Sequence, residues 1–264
     1  MTAARFEKWE GLGNDFVVLR DLGRALTDDE VRRICDRRFG VGADGVLLVE
    51  TVDAKPRMIV RNADGSRPEM CGNGLRCVAG YLANRAAEGR LIVATDAGEK
   101  ACEIVATEDG FDVTVEMGSA KRGSDLVAAI EGREHRFLTM DMGNPHAITF
   151  EAYEQRAIDA IGPAVATLPV GGTNVEFCRE ERSAVGPRIA VTVWERGVGR
   201  TLACGTGACA VAAAACDTGR VRFGEPVVVA LPGGELILTV APETRAVRMR
   251  GPARRVFTGE VVIR

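Results

Sequence analysis

Two short stretches of this chain repeat one pattern. MCGNGLRC at residues 70–77 and ACGTGAC at 203–209 each place a cysteine, Cys71 or Cys204, directly before a Gly-x-Gly turn that opens a helical pattern. A cysteine in that position meets backbone N–H groups that lack intrahelical partners, together with the positive end of the helix dipole, and both favour a thiolate. The adjoining glycines let the backbone come close to a ligand, so the same N–H groups can hold a carboxylate or phosphate. A base beside an anion cradle, present twice, suits inversion of a stereocentre next to a carboxylate. One group removes a proton from one face, the other delivers a proton to the opposite face, and fixed dipoles stabilise the carbanion between the two events. The other cysteines, Cys35, Cys77, Cys102, Cys178, Cys209 and Cys216, read as small buried apolar residues. No pair is spaced C-x-x-C and the only histidines are His135 and His146, so the sequence predicts neither a redox pair nor a metal centre.

The elements that must position these thiols are mostly strands. Alternating or β-branched runs such as PRMIVR (56–61), RLIVATD (90–96), FDVTVEM (111–117), PRIAVTVWE (187–195), PVVVALP (226–232) and ELILTVAP (235–242) lie between Gly, Pro and Asp punctuation. Helices are expected over 27–38, opened by a Thr27 cap, and over 73–88, 150–161 and 206–218. The last of these, TGACAVAAAACDTG, has almost no side-chain bulk and no charged face, which requires it to be wrapped on all sides. The fold class is therefore α+β and rich in strands. An internal regularity organises it: 133 residues separate Cys71 from Cys204, and 130 separate Gly13-Asn14 from Gly143-Asn144, both close to half of the 264 residues. This spacing predicts a duplicated domain, each copy with a Gly-Asn near its start and a Cys-Gly-x-Gly helix later. GVGADG at 40–45 fits G-x-G-x-x-G but follows a helical segment and leads into a strand, the reverse of a dinucleotide fingerprint.

Composition limits the partners. With 34 Lys and Arg against 37 Asp and Glu, a net charge of -3 and no basic stripe, nucleic acid and anionic membrane surfaces are not expected partners, which leaves a small molecule. The charged N-terminus and the shortness of the longest apolar run, ACAVAAAAC at 208–216, predict a cytoplasmic protein with reduced thiols.

Taken together, GLGNDFVVL, RFGVGADGVLLVE, NADGSRPEMCGNGLRC, MGNPHAITF, GGTNVEFC and WERGVGRTLACGTGACA resemble the diaminopimelate epimerases, cofactor-independent enzymes of lysine and peptidoglycan precursor synthesis. The resemblance implies two pseudo-symmetric domains, each a mixed, barrel-like sheet around a central helix, with the site in the cleft between them. It places the domains at 1–117 and 118–252, the first completed by a final strand at 253–264. It also implies a homodimer, interconversion of LL- and meso-diaminopimelate, and no cofactor or metal. Carried over by motif, Cys71 and Cys204 are the acid/base pair, and Gly72, Asn73, Gly205 and Thr206 cradle the carboxylate at the reacting centre. Asn14, Asn62, Asn144, Asn174, Glu195 and Arg196 hold the amino groups and the far end of the substrate, while His146 and Glu195 occupy positions that matter for activity. Two residues depart from the family pattern. Gly45 stands where many relatives carry Gln, and Phe257 stands where a Tyr often serves in dimer contact. A proline- or histidine-racemase-like enzyme would share the thiol pair, although proline racemases usually carry His where this chain has Asn73.

Overall fold

The computed structural model describes residues 2–86, 89–184 and 186–263. The chain divides into two compact units, Met1–Val115 with Gly251–Arg264, and Glu116–Arg250. The first unit contains β1 (Thr2–Gly11), β2 (Asn14–Arg20), α1 (Asp28–Cys35), β3 (Gly45–Val52), β4 (Lys55–Asn62), α2 (Gly72–Ala86), β5 (Gly89–Thr95), β6 (Gly98–Thr107) and most of β7 (Gly110–Ser119). The second contains β8 (Lys121–Arg122), β9 (Leu126–Ile130), β10 (Arg133–Asp141), β11 (Pro145–Thr149), α3 (Gln155–Thr167), β12 (Asn174–Glu181), β13 (Arg188–Glu195), β14 (Gly199–Thr201), α4 (Gly205–Asp217), β15 (Val227–Leu231) and β16 (Gly234–Val240). The long β17 (Ala246–Ile263) supplies residues to both.

The same sequence of pairings occurs in each unit. β1 and β2 are antiparallel, β2 and β3 parallel, β3 and β4 antiparallel, β4 and β5 parallel, and β5 and β6 antiparallel. In the second unit β10–β11, β11–β12, β12–β13, β13–β15 and β15–β16 follow that order. Parallel neighbours require a crossover, which α1 and α3 provide in the first crossing of each unit and α2 and α4 in the second. α2 packs against β1 to β6, and α4 against β10, β11, β12, β15 and β16, so each mixed sheet wraps one helix. The composition of α4 fits this location, because every residue from 208 to 215 is at most 2% exposed and a bulkier sequence would not fit inside the sheet. In α2 the close approach falls at Gly80, where a Cβ would meet the Trp9 ring at 2.8 Å.

The repeated Gly-Asn has a local cause. Leu12 and Gly13 both have positive φ (56° and 77°) and form the two-residue turn between β1 and β2, which delivers Asn14 as the first residue of β2. Gly143 (φ 94°) lies in the three-residue connection between β10 and β11 and leaves Asn144 just before β11.

Two helices differ from the sequence expectation by several residues, and the end of the helix expected over 73–88 lies outside the described residues. α1 begins after its Thr27 cap, with Glu30 completing a capping box, but ends at Cys35 rather than 38, because the Asp36 carboxylate accepts the N–H groups of Arg38 and Phe39 and turns the chain. α3 begins at Gln155 rather than 150 and continues past Gly162-Pro163 to Thr167. Its buried face, Ile158, Ile161 and Val165, runs across the proline, and Gly162 lies under Trp194, where a Cβ would come within 2.9 Å of the indole. Among the described residues no helix is long and apolar enough to cross a membrane.

Candidate active site

Each unit builds a site at the start of its wrapped helix. In the first, Cys71 is partly exposed immediately before α2, and its Sγ accepts the backbone N–H of Gly74 at 3.4 Å. In the second, Cys204 is the N-cap of α4 in extended conformation, and its Sγ accepts the N–H of Gly207 at the same 3.4 Å. The glycines have packing reasons to be there. A Cβ at Gly74 would meet Leu47 Cδ2 at 2.9 Å, and one at Gly207 would meet Glu176 Oε1 at 2.6 Å and the cysteine sulfur at 3.3 Å.

Around Cys71 the polar side chains form one directed chain. Arg76, fully buried inside α2, donates to Asn73 Oδ1 (3.0 Å) and to the Pro252 carbonyl (3.2 Å). Asn73 Nδ2 donates to Asn14 Oδ1 (3.2 Å), and Asn14 Nδ2 donates to Asp44 Oδ2 (2.8 Å). Arg37 bridges Asp44 and Asp15, which also pairs with the buried Lys8. A charged residue at each end thus fixes how both amides are oriented. Asn62, at the end of β4, donates to Ser66 Oγ (2.9 Å) and faces Gly45 across the β3–β4 ladder. A Cβ at Gly45 would lie 2.6 Å from the Arg61 carbonyl oxygen, so the backbone as it stands has no room for a side chain there.

Around Cys204 the network is different. His146 Nδ1 lies 2.7 Å from Glu176 Oε1, and both side chains are fully buried. His146 Nε2 lies 3.1 Å from Asn144 Oδ1, Asn144 Nδ2 donates to Thr206 Oγ1 (3.3 Å), and Thr206 Oγ1 is 3.5 Å from Cys204 Sγ. Asn174 stands beside His146 in the parallel β11–β12 ladder, donates to the Pro145 carbonyl and accepts the Arg196 N–H at 3.0 Å. Glu195 accepts from the Thr201 hydroxyl at 2.6 Å across the β13–β14 hairpin. The Arg196 side chain reaches back to the Gly171 and Gly172 carbonyls through Nη1.

One expectation is reversed at Cys204. The helix start does supply an N–H to the sulfur, but burial pushes this thiol well above its ordinary range, and the nearby Glu195 and Glu176 carboxylates push in the same direction. Desolvation outweighs the helix terminus here, so Cys204 holds its proton. Elsewhere, Cys35 and Cys102 are pushed by burial to about 11 and about 12, which agrees with their reading as inert core thiols.

Cys71, Gly72, Asn73, Asn14 and Asn62 all fall in the first unit, and Cys204, Gly205, Thr206, Asn144, His146, Asn174, Glu195 and Arg196 in the second. Sequence reasoning missed Glu176, Arg76 and Asp44. A usable signal existed for two of them: Glu176 is a carboxylate in the buried run NVEFC, and Arg76 is a cation among Leu75, Cys77 and Val78. Among the described residues no group of three or more His, Cys, Asp or Glu side chains could hold a metal.

Two wrapped helices, each opened by a thiol, define the class: a duplicated α+β protein with the fold of several solved racemase and isomerase-like structures. A probable proline racemase from Agrobacterium radiobacter K84 superposes with a TM-score of 0.74 at 15% identity over 99% of this chain and 93% of that one. A PhzF-family phenazine biosynthesis protein from Bacillus anthracis superposes with a TM-score of 0.76 at 15% identity over 100% of both. The family model for diaminopimelate epimerase matches residues 6–123 and 138–256. Diaminopimelate epimerase of Desulforudis audaxviator is 43% identical over 97% of this chain and 99% of its own length, and that of Synechocystis sp. is 37% identical over 99% and 100%. This chain belongs to the diaminopimelate epimerase family.

Proposed function

We propose that this protein interconverts LL- and meso-diaminopimelate for lysine and peptidoglycan precursor synthesis, with Cys71 and Cys204 as the acid/base pair and no cofactor. One observation carries the reading. Each unit presents a cysteine sulfur 3.4 Å from the third N–H beyond it, at the start of a helix enclosed by its own sheet. One thiolate removes the α-proton, and the other cysteine, still a thiol, protonates the opposite face of the planar carbanion. Each turnover exchanges the roles, so the proton count of the pair is conserved. Burial pushes the Cys204 thiol up, which supports Cys204 as the donor and Cys71 as the base in the first turnover from the resting protein. Gly72, Asn73, Gly205 and Thr206 offer N–H groups to the carboxylate beside the reacting carbon, where negative charge accumulates.

The far end of the substrate carries a second amino group and a second carboxylate. Asn14, Asn62, Asn144 and Asn174 supply amides, Glu195 a carboxylate for an ammonium, and Arg196 a guanidinium for the distal carboxylate. Among the described residues, Arg196 Nε and Nη2 make no hydrogen bond, so they remain for a ligand. The protein works in the cytoplasm as a homodimer. Phe257 on β17 is 46% exposed and lies edge-on to Phe6 of β1 at 5.7 Å, which leaves an exposed aromatic ring on the first unit for a second copy. The activity is tested by assaying the reduced, metal-free protein on LL-diaminopimelate, with proline, histidine and lysine as comparison substrates. The reading requires turnover of diaminopimelate alone; preference for a monocarboxylate rejects it. Light scattering tests the dimer.

A further inference from the structure

We infer that Glu176 is a positioning residue that aims the Thr206 hydroxyl at Cys204 through His146 and Asn144. The inference rests on the acid/base role proposed for Cys204. It starts from proton counting. His146 Nε2 faces Asn144 Oδ1, an atom that can only accept, so Nε2 carries hydrogen. Nδ1 and Oε1, 2.7 Å apart, would otherwise oppose two lone pairs, so a second proton of the His146–Glu176 pair belongs between them. Glu176 Oε2 is buried and meets no hydrogen-bond partner among the described residues, so the imidazole is what compensates this carboxylate.

The polarity of the rest follows. With Oδ1 occupied by the imidazole N–H, Asn144 must turn Nδ2 toward Thr206 Oγ1. Thr206 accepts there, so its single hydrogen is free to point at Cys204 Sγ, 3.5 Å away. When Cys204 gives its proton to carbon, a donor already faces the new thiolate, alongside the Gly207 N–H. No proton passes along the chain; only its hydrogen-bond direction matters. In the first unit the direction is opposite: Asn73, two residues after Cys71, donates to Asn14. The device therefore belongs to one thiol only.

The experiment is a double-mutant cycle with Glu176→Gln and Thr206→Val, together with nitrogen NMR of the histidine rings. The neutral amide introduced by Glu176→Gln lets Nδ1 carry the single imidazole proton, frees Nε2 to accept, and allows Asn144 to flip. The expected result for Glu176→Gln is a kcat about 10- to 100-fold lower, on the order seen for partners behind functional residues, with KM within about twofold. In the Thr206→Val background the same change should lower kcat by less than about twofold, because the hydroxyl it acts through is gone. Wild-type kcat in Glu176→Gln, or losses that multiply in the double variant, would overturn the inference. If Glu176→Gln does not fold, the wild-type NMR decides: Nε2 of His146, distinguished from His135 by a His135→Asn variant, should bear hydrogen at the pH of the assay, and a bare Nε2 overturns the inference. Failure of the proposed activity is separate, since it is read from wild-type turnover and leaves the NMR result intact.

Discussion

Gly207 lies so close to Glu176 that a Cβ at position 207 would stand 2.6 Å from the carboxylate oxygen Oε1. The same glycine donates its N–H to Cys204 Sγ, so one backbone position supports both the thiol and the buried acid. Gly207→Ala must displace Glu176 or the first turn of α4. The expected outcome is a kcat at least about 100-fold lower in a folded protein, the order of loss when a fixed donor is displaced. Gly74→Ala in the other unit crowds the end of the Leu47 side chain, at 2.9 Å, and otherwise makes only an ordinary contact with Cys71 Cβ, at 3.5 Å, so it should retain more than a tenth of wild-type kcat. Steady-state kinetics on the two variants checks the contrast, and equal losses would contradict it.

The two thiols should be distinguishable by reagent. Cys71 is partly exposed, whereas Cys204 is buried and held as a thiol by desolvation and two carboxylates. Between about pH 7 and about pH 9, iodoacetamide should label Cys71 at least about tenfold faster than Cys204, as read by peptide mass spectrometry. The sign for stability follows from the raised value of Cys204. Its contribution is intact below the ordinary thiol range and is lost as pH rises, because the unfolded thiol ionises first. Urea midpoints should therefore fall above about pH 9, the ordinary thiol value.

The distal-carboxylate role proposed for Arg196 makes it the residue to test for substrate selectivity. Arg196→Ala leaves a distal carboxylate without its partner and should lower kcat/KM for diaminopimelate by about 100- to 1,000-fold, roughly 3–4 kcal/mol. Arg196→Lys should recover only part of that, because an ammonium cannot form the fork. An unaffected Arg196→Ala would remove this residue from the far-end site and leave the thiol mechanism untouched.

The α1 cap offers a test of stability alone. The Glu30 carboxyl is held down to about 2, chiefly by its hydrogen bond from Arg24. Because the folded value lies below the ordinary 4.5, the stabilisation is present above about pH 4.5 and lost as pH falls toward 2. Arg24 is half exposed, so solvent screens the pair and the effect on stability is small. Glu30→Gln should lower the urea midpoint at neutral pH and converge with wild type near pH 2. Thr27→Ala should cost about 1 kcal/mol at either pH.

What the sequence made legible was local and periodic. The Gly13-Asn14 and Gly143-Asn144 turns, the Thr27 cap and the bulk-free α4 each follow from residue types over a few positions, and these positioned the thiols and the nearest amides. What it concealed depends on distance and burial. His146 and Glu176 are 30 residues apart in sequence, and only the parallel β11–β12 ladder brings their strands together. The thiol of Cys204 reads as an activated one from its helix-start context, yet burial reverses the shift, and burial is not written in seven residues. The start of α3 is hidden for a similar reason: Phe150 to Glu154 carry helical composition, but Thr149 ends a strand and the chain needs those residues to leave the sheet.

The most direct measurement follows α-hydrogen exchange in D2O for wild type, Cys71→Ala and Cys204→Ala, with reduced protein and LL-diaminopimelate. Wild type should form meso-diaminopimelate carrying one solvent deuterium at the inverted carbon. Each alanine variant should lose inversion by at least about 1,000-fold, since removing either thiol removes the acid or the base. Inversion at the wild-type rate in either variant, or product without solvent deuterium, would contradict the two-thiol account.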